Sequence, residues 1–317
     1  MQSVSPLCAR LVFSVALLFV LTAPGCLADP LNYTPTSADV RYGKYDRNVL
    51  DFFQAKTTAP APVLIYFHGG GWLGGDKKSS DPAPLLKVGV SVVTANYRFT
   101  RGTPDAAPYP APMLDSTRVL QFVRSKAKEW NMDPNRIALT GGSAGAVISM
   151  WIAYRDDMAK ADSPDPIERL STRVTCIVPQ AGPTTLDPKL ILKRVGGPPS
   201  IHPAMLPFYG AKDVAELETA DKQALIADAS PINHVTRDDP PTFLQYGIAL
   251  GGTPLPRNTD PNVSIHHPEF GVLLKEKLDK LGVENVLQSK GDGSDPHAMW
   301  KFLFKHLKPE FAPGEAK

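Results

Sequence analysis

The feature that most constrains this chain is a glycine-rich turn at residues 141–145, Gly-Gly-Ser-Ala-Gly, with Ser143 at its centre. The apolar run before it, residues 136–140, predicts a buried strand, and residues 146–154 after it predict a buried helix. A strand that turns this sharply into a helix needs small residues, because the backbone is strained and the two elements pass close together. Such a turn lifts the serine hydroxyl to the edge of a sheet.

Strands and helices are predicted to alternate along the rest of the chain. The strands are continuous apolar runs, which are typical of a mostly parallel sheet covered on both faces. Prolines interrupt this alternation at about residues 183–230, where we expect an inserted cap, and residues 247–267 are expected to form a long loop. The predicted fold is α/β, with helices on both faces of the sheet. A hairpin is predicted at 40–53, further strands at 63–67, 90–95, 174–178, 242–246 and 283–287, and further helices at 82–87, 113–130, 214–228, 270–281 and 298–307.

The composition is that of a soluble globular protein, with 43% hydrophobic and 21% charged residues. A net charge of +2 and the lack of a run of lysine and arginine argue against a nucleic-acid partner. The oligomeric state is left open.

Residues 1–28 predict a secretory signal peptide, because a short apolar run at 11–21 is followed by the small-residue cleavage site that ends at Ala28. Cleavage would leave residues 29–317 as one domain without a membrane span, secreted or periplasmic, with Cys176 as its one thiol. Lipid attachment at Cys26 and an uncleaved membrane anchor are the alternatives.

A serine hydroxyl is a poor nucleophile unless a base takes its proton, an acid orients the base and N–H donors stabilise the oxyanion. Residues 68–71, His-Gly-Gly-Gly, follow a predicted strand, and their backbone N–H groups can turn toward a substrate oxygen. The N–H of Ala144 offers another donor at the start of the predicted helix.

The chain resembles alpha/beta-hydrolase carboxylesterases with a His-Gly-Gly-Gly oxyanion motif, such as hormone-sensitive-lipase-like and secreted sugar-ester esterases. The family commonly has glycine where this chain has Ala146. The resemblance implies that Gly70, Gly71 and Ala144 bind the oxyanion and that His297, after the last strand, is the base. The matching segments are 40–43, 50–51, 68–72, 96–98, 109–110 with Asp115, 133–137 and 141–146.

The acid is not where the resemblance places it, because that position is Leu250. Asp260 is the next carboxylate and the favoured candidate, Asp187 is the alternative, and a pair without an acid is the third possibility. His202 and His234 fall in or near the cap. The pair His266 and His267 invites a metal interpretation, which we set aside because adjacent side chains rarely face the same way and no third ligand accompanies them.

The predicted function is therefore a serine esterase that cleaves small-molecule or carbohydrate esters, including short-chain or polysaccharide acyl esters, through an acyl-enzyme and without cofactor or metal. The catalytic residues would be Ser143, His297 and Asp260. The main alternative is a catalytically weak relative that acts as a binding protein, because Leu250 stands where the family has its aspartate. A peptidase of the same fold is a third possibility.

Overall fold

The computed structural model describes residues 34–310, and within them the strands form a single sheet. Its order is β1-β2-β4-β3-β5-β6-β7-β8. The strands are β1 (Ser37–Arg41), β2 (Val49–Phe53), β3 (Ala61–Phe67), β4 (Ser91–Ala95), β5 (Met132–Gly142), β6 (Cys176–Gln180), β7 (Thr242–Tyr246) and β8 (Asn285–Ser289). The proposed signal peptide and Cys26 lie outside the described residues.

The sheet is parallel except at one edge. β1 pairs with β2 and β2 with β4 in antiparallel register, whereas β3 to β8 pair in parallel. Every residue of β3 and β4 is buried, as expected for central strands covered on both faces. The expectation of a mostly parallel α/β sheet with an antiparallel hairpin at its edge is confirmed.

Helices cover both faces of the sheet. They are α1 (Ala83–Lys87), α2 (Ala111–Ser125), α3 (Ala144–Tyr154), α4 (Pro188–Arg194), α5 (Met205–Tyr209), α6 (Ala220–Ala229), α7 (Pro261–Ile265), α8 (Glu269–Leu281) and α9 (Ala298–Leu307). Alternate side chains of one strand point to opposite faces. Leu64 packs in a cluster with Phe302 of α9, whereas Ile65 packs in the cluster that contains α2, α3 and α8.

Two differences from the sequence prediction bear on the packing and on the site. Helix α2 ends at Ser125 rather than Trp130, and the Trp130 ring stacks on Phe52 with 4.3 Å between ring centroids. The predicted loop at 247–267 contains the short helix α7. Asp260 caps this helix by accepting a hydrogen bond from the N–H of Asn262 at 2.7 Å, and Pro261 occupies its first turn. Both are favoured at a helix start.

The segment between β6 and β7, here named the cap segment, holds α4, α5 and α6, and it pairs with the loop after β7. The N–H of Leu255 donates to the carbonyl of Val195 at 2.8 Å, and the N–H of Gly197 donates to the carbonyl of Leu255 at 2.9 Å. Arg194 forms an ion pair with Glu269 at 2.9 Å. These contacts join the two insertions. Among residues 34–310, no helix has the length and hydropathy needed to span a membrane.

Candidate active site

Ser143 lies at the turn between β5 and α3 with φ 53° and ψ −116°, a conformation that non-glycine residues rarely adopt. Its N–H donates to the carbonyl of Gln180 at 2.9 Å, which fixes the turn to β6. The neighbouring glycines are required by close packing, since a Cβ on Gly145 would lie 2.0 Å from the carbonyl oxygen of Phe67. The strain expected from the sequence is therefore present at the serine.

The glycine loop after β3 lies directly against this turn. A Cβ on Gly69 would lie 2.9 Å from the carbonyl oxygen of Gly142. Gly70 and Gly71 have φ of 100° and 60°, which favours glycine. Within residues 34–310, the N–H groups of Gly70, Gly71 and Ala144 donate no hydrogen bond. The loop and the start of α3 thus present free donors beside Ser143.

His68 lies beneath this loop and braces it. Its Nδ1 hydrogen-bonds the carbonyl of Gly69 at 2.8 Å, Arg47 contacts its Nε2 at 3.1 Å, and its ring stacks on Tyr97 at 4.3 Å. Burial lowers the pKa of His68 from 6.5 to about 4, outweighing the hydrogen bond to Gly69. His68 is consequently neutral at pH 7.

The structure brings His266 to the serine. Its Nε2 is 2.8 Å from Ser143 Oγ, and its Nδ1 is 2.7 Å from the carbonyl oxygen of Asn262. A carbonyl oxygen can only accept, so Nδ1 carries the proton and Nε2 has a free lone pair. The hydroxyl of Ser143 therefore donates to Nε2, which is the arrangement that a general base needs.

The short helix α7 orients His266. Asn262 and His266 are separated by one helical turn, which places the ring beside the Asn262 carbonyl. The buried His267 ring points elsewhere: its Nε2 donates to the carbonyl of Gly251 at 3.1 Å, and its Nδ1 accepts from the N–H of Glu269 at 3.1 Å. The two adjacent rings thus have separate partners. In the described part of the chain, no group of three or more His, Cys, Asp or Glu side chains is arranged to hold a metal ion.

The structure does not bring His297 or Asp260 to Ser143, which corrects both sequence expectations. The His297 side chain is exposed at the start of α9, and its N–H donates to Asp295 at 2.8 Å. The Asp260 side chain accepts a hydrogen bond from the N–H of Asn262 at the start of α7, and it makes no hydrogen bond to His266. Asp187, the alternative, caps α4 in the same way. Two features of the sequence could have pointed to His266. They are the Asp-Pro pair that starts a helix and the spacing of one helical turn from Asn262 to His266.

A second histidine, His202, lies behind the base. Its Nδ1 accepts from the N–H of Ala204 at 3.3 Å, and the Asn262 side chain raises the pKa of the ring. Burial lowers the pKa of His266, the bond to the Asn262 carbonyl raises it, and the charge of a protonated His202 lowers it further. Asp260 acts on this second ring, because its charge raises the pKa of His202 against the larger effect of burial.

Comparisons with known proteins find relatives that are named as carboxylic ester hydrolases. The probable carboxylic ester hydrolase LipM of Mycobacterium tuberculosis is 33% identical over 217 residues, which are 66% of this chain and 47% of LipM. Esterase LipQ of the same organism is 30% identical over 224 residues, 68% of this chain and 49% of LipQ. The chain spans about half the length of these curated relatives.

The solved structures show the fold. An acetyl ester-xyloside bifunctional hydrolase from Caldicellulosiruptor lactoaceticus superposes with a TM-score of 0.59 at 24% identity, over 89% of this chain and 88% of that one. The expected alpha/beta-hydrolase fold is confirmed. A family model described as BD-FAE matches residues 50–249, which include both the glycine loop and the serine turn. The chain belongs to the BD-FAE family of alpha/beta-hydrolases.

Proposed function

We propose that this protein hydrolyses carboxylic esters through an acyl-enzyme on Ser143, with His266 as the general base. The observation that carries the proposal is the 2.8 Å contact between His266 Nε2 and Ser143 Oγ in the tautomer that accepts the serine proton. The similarity to proteins named as carboxylic ester hydrolases supports it.

The chemistry follows from the position of each group. Ser143 Oγ attacks the ester carbonyl carbon while Nε2 of His266 takes its proton. The N–H groups of Gly70, Gly71 and Ala144 stabilise the oxyanion, and losing one such donor costs about 3–4 kcal/mol. His266 then gives its proton to the departing alcohol. A water molecule, activated by the same ring, releases the carboxylic acid and restores Ser143.

The Asn262 carbonyl takes over part of the role that a carboxylate has in a complete triad. It fixes the ring orientation and the tautomer of His266 through the 2.7 Å bond to Nδ1. It stabilises the imidazolium less than a full negative charge would. We therefore assign the Ser143–His266 pair as the catalytic centre, with a backbone orienting group.

We also propose that the protein is exported and that its substrates include short-chain or carbohydrate acyl esters. The apolar run and cleavage site in residues 1–28 support export. The structural similarity to a hydrolase named for acetyl esters and xylosides supports the substrate class.

The test is the hydrolysis of 4-nitrophenyl acetate by wild type, Ser143→Ala, His266→Ala and His297→Ala. We expect the first two variants to lose at least about a thousand-fold in kcat, as removal of a nucleophile or its base does in serine hydrolases. His297→Ala is the matched control, because the exposed His297 ring makes no hydrogen bond within the described residues. It should stay within about two-fold of wild type.

Two results would overturn parts of the proposal. If His297→Ala were inactive and His266→Ala were not, the base would be His297. If Ser143→Ala turned over substrate as fast as wild type, the esterase assignment would fail and a binding role would replace it. Thermal unfolding of each variant separates loss of catalysis from loss of folding.

A further inference from the structure

A groove lies on the cap segment, between the loop at 100–108 and helix α5. Its volume is about 360 Å³, within the range of small-molecule sites. Its walls include three proline rings and Leu206, and two cationic side chains lie at its edge. Its lining includes Thr100, Arg101, Pro108, Pro203, Leu206 and Lys212.

Both walls of the groove are attached to the oxyanion loop. Thr100 donates its N–H to the carbonyl of Trp72 at 2.8 Å, and Trp72 directly follows the oxyanion glycine Gly71. The other wall begins at Pro203, beside Ala204. A Cβ on Gly71 would lie 2.9 Å from the Ala204 Cβ, so Ala204 rests on the oxyanion loop. Both walls of the groove therefore adjoin the oxyanion loop.

The groove also lies on the side of the base. Pro203 follows His202, which lies close enough to His266 for its charge to lower the pKa of that ring. In ester hydrolysis the base protonates the leaving oxygen, so the alcohol part of the substrate departs on this side. The groove is thus placed to hold the alcohol part rather than the acyl part.

The residues that line the groove include two cations and no carboxylate. Arg101 and Lys212 are exposed, and within residues 34–310 neither has a carboxylate within 4.0 Å. The nearby acids are engaged with backbone N–H groups instead. Asp105 accepts from Asp46, Glu216 from Lys212, and Asp213 from Glu216. Two cations above an apolar floor suit a ring that carries a carboxylate.

We propose that this groove is a subsite for the alcohol part of the ester, and that it selects alcohols bearing a carboxylate on an aromatic or sugar ring. Arg101 and Lys212 bind the carboxylate, while Pro108, Pro203 and Leu206 contact the ring face. This inference rests on the proposed esterase activity and adds the class of its leaving group.

The test compares 4-acetoxybenzoate with its methyl ester, which has the same acyl group and no charge. We expect the double variant Arg101→Gln, Lys212→Gln to lower kcat/KM for 4-acetoxybenzoate about ten-fold, mainly through KM, and to leave the methyl ester within two-fold. The matched control is Lys128→Gln, Lys280→Gln, which removes the same charge from two exposed lysines outside the groove. It should change neither substrate by more than two-fold.

Three outcomes would overturn the inference. The groove variant could leave the ratio of the two substrates unchanged, or the control variant could change it equally through net charge. A selective loss on 4-nitrophenyl hydrogen succinate, which carries its carboxylate on the acyl side, would place the acyl part in the groove. Failure of wild type to hydrolyse even the methyl ester would instead contradict the esterase assignment, so the two failures are distinguishable.

Discussion

His266 is oriented by a peptide carbonyl, and this choice affects its protonation. A carboxylate would place a full negative charge beside the ring and favour the imidazolium, whereas a carbonyl supplies only a dipole. Burial therefore dominates and lowers the pKa of His266 below 6.5. The neutral ring, which accepts the serine proton, consequently persists at lower pH than in an exposed histidine.

The pH profile of kcat/KM should reflect this lowered pKa. Only neutral His266 accepts the proton, so activity on 4-nitrophenyl acetate should rise with pH through an apparent pKa below 6.5 and then level off. Asn262→Asp adds a negative charge beside the histidines and should move this acid limb to higher pH. The measurement is initial rate from pH 4.5 to 8.5 for both proteins.

Asn135→Asp is the matched control, because Asn135 is exposed on β5 and its side chain makes no hydrogen bond within the described residues. Its profile should coincide with that of wild type. An acid limb at or above pH 6.5 in wild type, or one that Asn262→Asp leaves in place, would contradict the role assigned to His266.

At the scale of elements, the base is held by two insertions rather than by the central sheet. Helix α7 carries His266, and the loop before it pairs with the cap segment through Leu255, Val195 and Gly197. A Cβ on Gly197 would lie 2.9 Å from the Ser264 Cβ, so the cap also touches α7 directly. The position of the base therefore depends on the pairing between cap and loop.

Gly196→Ala should disturb this pairing. A Cβ at Gly196 would lie 2.5 Å from the backbone nitrogen of Leu255, and its φ of 80° disfavours alanine. We expect kcat to fall at least about ten-fold, because a displacement of about 1 Å at a catalytic group can cost a hundred-fold. The midpoint of thermal unfolding should stay close to that of wild type, because the substitution lies outside the central sheet.

Gly247→Ala is the control, because Gly247 lies at the start of the same loop and a Cβ there meets nothing within 4 Å. It should retain wild-type kcat. If Gly196→Ala kept full activity, the cap–loop pairing would not position His266. If Gly196→Ala lowered the midpoint of thermal unfolding as strongly as it lowered activity, the substitution would destabilise the whole fold rather than displace His266.

The same elements show why the sequence located the serine turn and not the histidine that lies beside it. Ser143 sits between a long apolar strand and an apolar helix, whose patterns are strong and local. Helix α7 has only five residues, too few for a hydrophobic period, and non-local backbone pairing fixes its position. His297 follows β8 in sequence, as the resemblance required, but the structure leaves its ring exposed.

At the scale of the whole molecule, burial of histidines couples folding to pH. The pKa values of His68, His202, His266 and His267 are all lowered, in each case mainly by burial. The unfolded chain therefore binds more protons than the folded one below pH 6.5, so their contribution to stability is lost as pH falls. Asp239 acts in the opposite direction, because burial raises its pKa from 3.8 to about 6.

His68 should contribute the clearest share of this dependence. Its pKa of about 4 in the folded state lies well below the 6.5 of an exposed imidazole, so its contribution is complete above pH 6.5 and declines toward pH 4. Between pH 7.5 and 6.0 this amounts to about 1 kcal/mol of unfolding free energy. Urea denaturation at both pH values should show that His68→Asn, which keeps a donor near the Gly69 carbonyl, depends less on pH than wild type by this amount.

The comparison of wild type with His68→Asn cancels Asp239 and the other histidines, because both proteins contain them. His297→Asn, a substitution at an exposed position, serves as the control and should show the pH dependence of wild type. At pH 7.5, His68→Asn should be less stable than wild type, because the substitution removes the stacking on Tyr97 and the contact with Arg47. Equal pH dependence in His68→Asn and wild type would mean that His68 takes up its proton without opening the oxyanion loop.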